Sequence, residues 1–121
     1  MNKILVEVSV GELLDKISIL EIKKEKIKDS DKLIFINDEY LVLTKQLDEN
    51  IILKDELKKL YEELKAINAK LWDIEDNKRM CEKNNDFGEN FIKLSRDVHF
   101  LNDDRAKIKF CLLYTSPSPR D

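Results

Sequence analysis

The stretch Leu53-Lys-Asp-Glu-Leu57-Lys-Lys-Leu60-Tyr-Glu-Glu-Leu64-Lys-Ala-Ile67-Asn-Ala-Lys-Leu71-Trp-Asp-Ile74 decides the fold. Leu53, Leu57, Leu60, Leu64, Ile67, Leu71 and Ile74 are spaced four and three apart, filling seven successive seam positions. Sustained over three heptads, that spacing places one apolar stripe on a helix, at the regularity of a coiled coil. The pattern predicts a helix from about Leu53 to Lys83, roughly 45 Å long at 1.5 Å per residue. Asp55 with Lys59, and Glu75 with Arg79, stand four residues apart in the favourable order for helix ion pairs.

Working outward, the same spacing recurs on both sides with interruptions. Upstream, Val10, Leu13, Ile17, Leu20 and Ile27 predict a first helix over Val10–Lys28. Ser9 offers its N-cap and Glu12 completes a capping box. The phase then slips by one residue at Asp29-Ser30-Asp31, all capping types. A second helix follows through Leu33, Ile36, Tyr40, Leu43 and Leu47, ending in a similar slip around Asp48-Glu49-Asn50. Downstream of the central stretch, Lys83-Asn84-Asn85-Asp86 marks a third slip. A fourth helix is expected with Asp86 as N-cap and Glu89 at N3, running through Phe87, Phe91, Leu94, Val98, Leu101 and Ile108. Short links between four helices predict an antiparallel, up-and-down, all-α bundle with long helical hairpins. The third helix is much longer than the first, so its overhang calls for a homodimer or another covering segment. Residues 3–8 alternate Ile4, Val6 and Val8 with Lys3, Leu5 and Glu7, a short extended segment before the first helix.

The ending differs in kind. Both prolines of the 121 residues, Pro117 and Pro119, fall in Cys111-Leu-Leu-Tyr-Thr-Ser-Pro-Ser-Pro-Arg-Asp121. That string resembles the in-frame translation of a transposase-type sequencing-library adapter. The expectation is a single helical domain over residues 1–110, cut short at about Phe110, and a non-native, disordered tail over 111–121. Only Cys81 then remains in the domain, late in a helix and reading as a buried, inert thiol.

Composition bounds the function classes. Charged residues make up 39% and the net charge is −3, from 22 basic and 25 acidic side chains finely mixed. A nucleic-acid face needs a basic excess, so nucleic acid is not an expected partner. The lysines of Lys23–Lys32 are interleaved with Glu21, Glu25, Asp29 and Asp31 and read as a solvated face. No apolar run approaches the roughly 20 residues that span a bilayer, and no signal peptide is seen, so the expectation is a cytoplasmic protein without membrane insertion.

Familiar catalytic signatures are absent: no glycine-rich phosphate loop, no GxSxG, no paired CxxC. His99 is the single histidine and reads as a helix flank residue; Trp72 reads as core or interface. What remains are polar residues on or beside the apolar seams, which cost free energy to bury unless paired. The candidate polar cluster is Asp15, Glu21, Asn68, Glu75, Asp76, Arg79, Asn102 and Arg105. Facing helices of a bundle gather such carboxylates around a metal or an arginine. No metal-ligand set is assigned among them, and no cofactor is named.

Three blocks carry a resemblance. They are Val6-Glu-Val-Ser-Val-Gly-Glu-Leu-Leu-Asp-Lys-Ile-Ser-Ile-Leu-Glu-Ile-Lys23; Leu71-Trp72 with Ile74-Glu75-Asp76, Arg79 and Glu82; and Phe91-Ile92, Leu94, Arg96, Val98, Asn102-Asp103, Arg105-Ala106 and Ile108-Lys109. Together they resemble a domain-of-unknown-function family of bacteria and phages. The resemblance implies a small helical cytosolic protein, in some cases encoded beside surface-polysaccharide genes, and brings no established activity or catalytic residue.

Two functions follow from these readings. The first is a non-enzymatic helical accessory or assembly protein acting through its helix faces on a protein partner or a second copy. The alternative is an all-α, metal-dependent nucleotide pyrophosphohydrolase-like enzyme, in which acidic helices hold magnesium around a diphosphate. The spatial discriminator is whether Glu21, Glu75, Asp76 and Arg105 converge in one cleft.

Overall fold

The computed structural model describes residues 4–114 together with 118 and 119. Four helices dominate: α1 (Val10–Lys26), α2 (Ser30–Asn50), α3 (Asp55–Lys83) and α4 (Glu89–Tyr114). The all-α bundle expected from the heptad spacing is what forms. Each break falls at or beside the capping residues read from the sequence. Ser9 Oγ accepts from the Glu12 amide at 3.2 Å, and Asp29 Oδ1 accepts from the Asp31 amide at 3.0 Å. These caps satisfy amides that a helix start otherwise leaves unpaired.

Several boundaries differ in instructive ways. Helix α1 stops at Lys26, two residues early, because Ile27 is already extended (φ −86°, ψ 131°) and its amide closes the last turn on the Lys23 carbonyl at 2.8 Å. Helix α4 begins at Glu89. Asp86, expected as its N-cap, instead accepts from the Gly88 amide at 3.2 Å in a turn two residues long, and the Gly88 carbonyl takes the first helical bond from Ile92. The preceding Asn85 sits at φ 53°, the left-handed conformation that asparagine tolerates after a helix. Residues 4–9 form no strand; Ile4, Leu5 and Val6 are 87%, 93% and 73% exposed. Alternation alone does not make a strand when no edge lies beside it to pair with. Lys3 lies outside the described residues.

The packing is two hairpins rather than a ring of neighbours. Helix α1 is the hub: it packs against α2, α3 and α4, while α3 and α4 pack along each other and α2 rests chiefly on α1. The link between α2 and α3 carries the reason. Ile51–Ile52 form a two-residue strand, β1, paired antiparallel with β2, Ser118–Pro119. This extended link separates α3 from α2 instead of turning it straight back.

A helix contacted on three sides cannot be apolar on one stripe only. Leu14, Ile17 and Leu20 bury one face of α1, and Ile22 lies on another; all are at most 4% exposed. With Leu47, Leu57 and Leu64, two of these, Leu14 and Ile17, make the core, each buried aliphatic side chain contributing about 1.5–3 kcal/mol. On the central seam, Leu57 and Leu64 are buried, whereas Leu53, Leu60, Ile67, Leu71 and Ile74 are half-buried. Helix α4 runs without a break through Cys111–Tyr114, the first residues of the stretch expected to be a disordered tail. Leu112 is 1% exposed and belongs to the core cluster. It follows Ile108 by one helical turn, so an apolar side chain there continues the α4 seam. Residues 115–117, 120 and 121 lie outside the described residues.

Candidate functional site

Beside its apolar seam, each of α1, α3 and α4 carries a second stripe at the same three-four spacing, made of small and polar residues. On α1 it is Gly11, Asp15 and Ser18; on α3, Tyr61, Lys65, Asn68, Glu75 and Arg79, interrupted by Trp72; on α4, Asn102, Arg105 and Lys109. These three stripes face one another, and the candidate site is built where they meet.

Asp15 is its centre, 3% exposed. Arg105 holds it in a two-bond fork, Nε donating to Oδ1 at 3.3 Å and Nη2 to Oδ2. Asn68 Nδ2 donates to Asp15 Oδ1 at 2.8 Å and to Ser18 Oγ at 2.8 Å, and Ser18 Oγ donates to the Asp15 carbonyl at 2.7 Å. Lys109 stands 3.5 Å from Asp15 Oδ2 and 2.6 Å from Glu12 Oε1. A buried carboxylate is tolerable only when paired and hydrogen-bonded, and Asp15 is both. Among the described residues, no buried side-chain nitrogen or oxygen lacks a partner.

Gly11 lets α1 and α4 approach at this end. A Cβ on it would stand 3.3 Å from the Lys109 carbonyl oxygen and 3.5 Å from Leu112 Cβ. Any larger side chain would push the two helices apart and lengthen the contacts of Asp15, one turn along.

An open cleft of about 320 Å3 lies beside the network, lined by Ile19, Ile22, Asn68, Leu71, Trp72, Glu75, Arg79, Asn102 and Arg105. Of the eight residues proposed from sequence, Asn68, Glu75, Arg79, Asn102 and Arg105 line this cleft, and Asp15 lies immediately behind it, bonded to two of them. Glu21 and Asp76 do not belong to it. Glu21 accepts from the Tyr61 hydroxyl and pairs with Lys65 at 2.8 Å. Burial and the bond to Glu21 push the Tyr61 phenol far above its ordinary value of 10.0. The same carboxylate raises Lys65, which also lies 3.4 Å from Glu25. Asp76 is on the surface and pairs with Arg79 at 3.2 Å, taking the place expected for Glu75. Thus Glu75 and Arg105 share the cleft while the other two carboxylates point elsewhere. Among the described residues, no group of three or more His, Cys, Asp and Glu could hold a metal ion.

The remaining single residues fall as read. Cys81 is 5% exposed, with Asn90 Nδ2 at 3.6 Å from its sulfur. His99 is exposed and stands 3.7 Å from Asp103. Sequence reasoning missed Ser18, Tyr61, Lys65 and Lys109. The signal for them was the second three-four stripe, which an apolar-only periodicity does not register. Among the described residues, no helix is long and apolar enough to cross a membrane.

A second feature lies away from this cleft. On α2, Ile34, Phe35, Leu41 and Val42 are 59%, 75%, 64% and 55% exposed. At 3.6 residues per turn they centre about 180° round the helix from Ile36, Tyr40, Leu43 and Leu47, which face the core. Helix α2 therefore has two apolar faces, and one of them is bare.

No curated protein and no solved structure matches this chain. One family model does, over residues 4–118, the greater part of the length. The chain therefore belongs to the family of unknown function DUF6165.

Proposed function

We propose that this protein is a non-enzymatic helical accessory or assembly protein that works by helix-face contact with a protein partner or a second copy of itself. The observation that supports this reading is the bare apolar face of α2. A peripheral helix normally turns polar residues to water. Here four large apolar side chains sit within two turns on the side opposite the core. Exposed apolar side chains gathered on one helix face in this way mark protein interaction sites. Asp38 stands in the middle of this face, between the two apolar pairs, and Lys45 follows at its C-terminal end, so a partner surface must also meet one acidic group.

The alternative, a magnesium-dependent nucleotide pyrophosphohydrolase, draws no support from the carboxylates. Glu21 is engaged by Tyr61 and Lys65, Asp15 by Arg105 and Asn68, and Asp76 by Arg79. Each of these three is already engaged by the protein's own cations or hydrogen-bond donors; Glu75 is the one carboxylate of the cleft without such a partner among the described residues.

The test is the mass of the whole chain in solution by light scattering coupled to size exclusion, across a concentration series. The expected result is an assembly heavier than the 14.3 kDa chain. The double substitution Phe35→Glu, Val42→Lys should return it to the single-chain mass with helicity unchanged by circular dichroism. A wild-type protein at single-chain mass throughout counts against self-assembly. Magnesium-dependent turnover of nucleotide diphosphates would overturn the non-enzymatic reading altogether.

A further inference from the structure

The cleft between α1, α3 and α4 has an order to its lining. At one end stand Asn68 and Arg105, held side by side because both donate to Asp15 Oδ1, at 2.8 and 3.3 Å. Asp15 can only accept, so the atom Asn68 turns toward it must be the amide nitrogen. That nitrogen serves Ser18 as well, so both Asn68 N–H groups are spent inside the network and the donors at this end come from Arg105 and Asn102. Arg105 spends Nε and Nη2 on Asp15, which leaves Nη1. Asn102, one turn before Arg105 on α4, adds an exposed amide to the same end.

Glu75 lines the other end, two turns further along α3, or about 10 Å; Arg79, one turn beyond it, also lines the cleft and is paired with Asp76 at 3.2 Å. The Glu75 carboxylate has no hydrogen bond or ion pair among the described residues. Between the ends, Leu71 and Trp72 of α3 and Ile19 and Ile22 of α1 form an apolar wall. A donor end, an aromatic wall and an acceptor end therefore follow one another along one groove. At about 320 Å3 it is at the small end of ligand clefts, with room for a single ring system.

We infer that this cleft binds a small aromatic molecule with a carboxylate at one end and a protonated amine at the other. The carboxylate meets Arg105 Nη1 and the Asn102 amide. The ring lies against Trp72 and Leu71. The amine reaches Glu75. Because Arg105 is already fixed by Asp15, its remaining N–H groups are oriented before the ligand arrives, which lowers the ordering cost of binding. A simple anion would leave Glu75 unmatched, and a simple cation would leave the Arg105 end unmatched. This site is separate from the α2 face, and neither reading depends on the other.

The chain has one tryptophan, so a single indole N–H resonance reports on the cleft. The whole protein is titrated with 4-(aminomethyl)benzoate, benzoate and benzylamine. The bifunctional compound should shift the Trp72 resonance saturably and bind about tenfold tighter than either fragment, the worth of one charge-assisted hydrogen bond. Glu75→Gln should abolish its advantage over benzoate and leave benzoate unchanged. Asn102→Ala should weaken both carboxylates. Circular dichroism checks that each variant is folded. No saturable shift with any compound, or equal affinity for all three, overturns the inference. Tighter binding of adenosine than of 4-(aminomethyl)benzoate overturns the ligand class.

Discussion

Asp15 of α1 and Arg105 of α4 stand ninety residues apart in the chain and form a two-bond ion pair in the interior, with Asn68 of α3 bonded to the same carboxylate. One acidic side chain thereby ties three helices together.

Removing one partner strands the other. Asp15→Ala should cost about 3–5 kcal/mol, because Arg105 is left partly buried without its counter-charge. The double variant Asp15→Leu, Arg105→Met should be less destabilised than the sum of the single changes, since neither charge then remains unpaired. Urea unfolding of the four proteins measures the coupling.

Gly11 holds the distance between α1 and α4. Gly11→Val should destabilise by about 1–3 kcal/mol through overpacking against the Lys109 carbonyl and Leu112. Gly11→Ala sets a tight 3.3 Å contact against a better helix propensity, so it should cost much less than valine. Thermal unfolding of both variants checks the order.

Leu112 lies on the last turns of α4 yet is packed in the core at 1% exposed. Leu112→Ala should cost about 2–5 kcal/mol, whereas the neighbouring exposed Leu113→Ala should stay within about 0.5 kcal/mol. Chemical denaturation of the pair separates a core role from a surface one.

Stability should fall at alkaline pH. Tyr61 is raised from 10.0 by burial and its bond to Glu21, and Lys65 is raised from 10.5 by its bond to the same carboxylate. A folded-state value above the unfolded one favours the protonated form in the native state. The contribution is therefore complete below about pH 10 and is lost as pH rises further. Melting temperature measured from pH 8 to 12 should be level and then drop. Tyr61→Phe should lower the level part and soften the drop, because it has no phenol to ionise. A drop of the same depth in Tyr61→Phe would show that the alkaline loss arises elsewhere.

Much of the fold was legible because its signals are local. The Leu53–Ile74 seam, the Ser9 and Asp29 caps and the breaks near Asn50 and Asn84 each depend on residues within a turn or two. Five cleft residues were legible too, as polar positions beside apolar seams. Glu21 and Asp76 looked equivalent to Glu75 by spacing. They part from it because Tyr61 and Lys65 on α3, and Arg79 one turn away, lie closer to them in space.

The amino-acid sequence by itself determined helix content, helix ends and the apolar stripe of each helix, since a period of 3.6 and a capping side chain act within a few residues. Only the tertiary structure decided that α1 is the hub, that Leu112 is core, that α2 keeps a bare apolar face, and that Asp15 takes Arg105 rather than another cation. Those outcomes turn on which stripes meet across the bundle, and neighbours 40 to 90 residues apart leave no mark on local spacing.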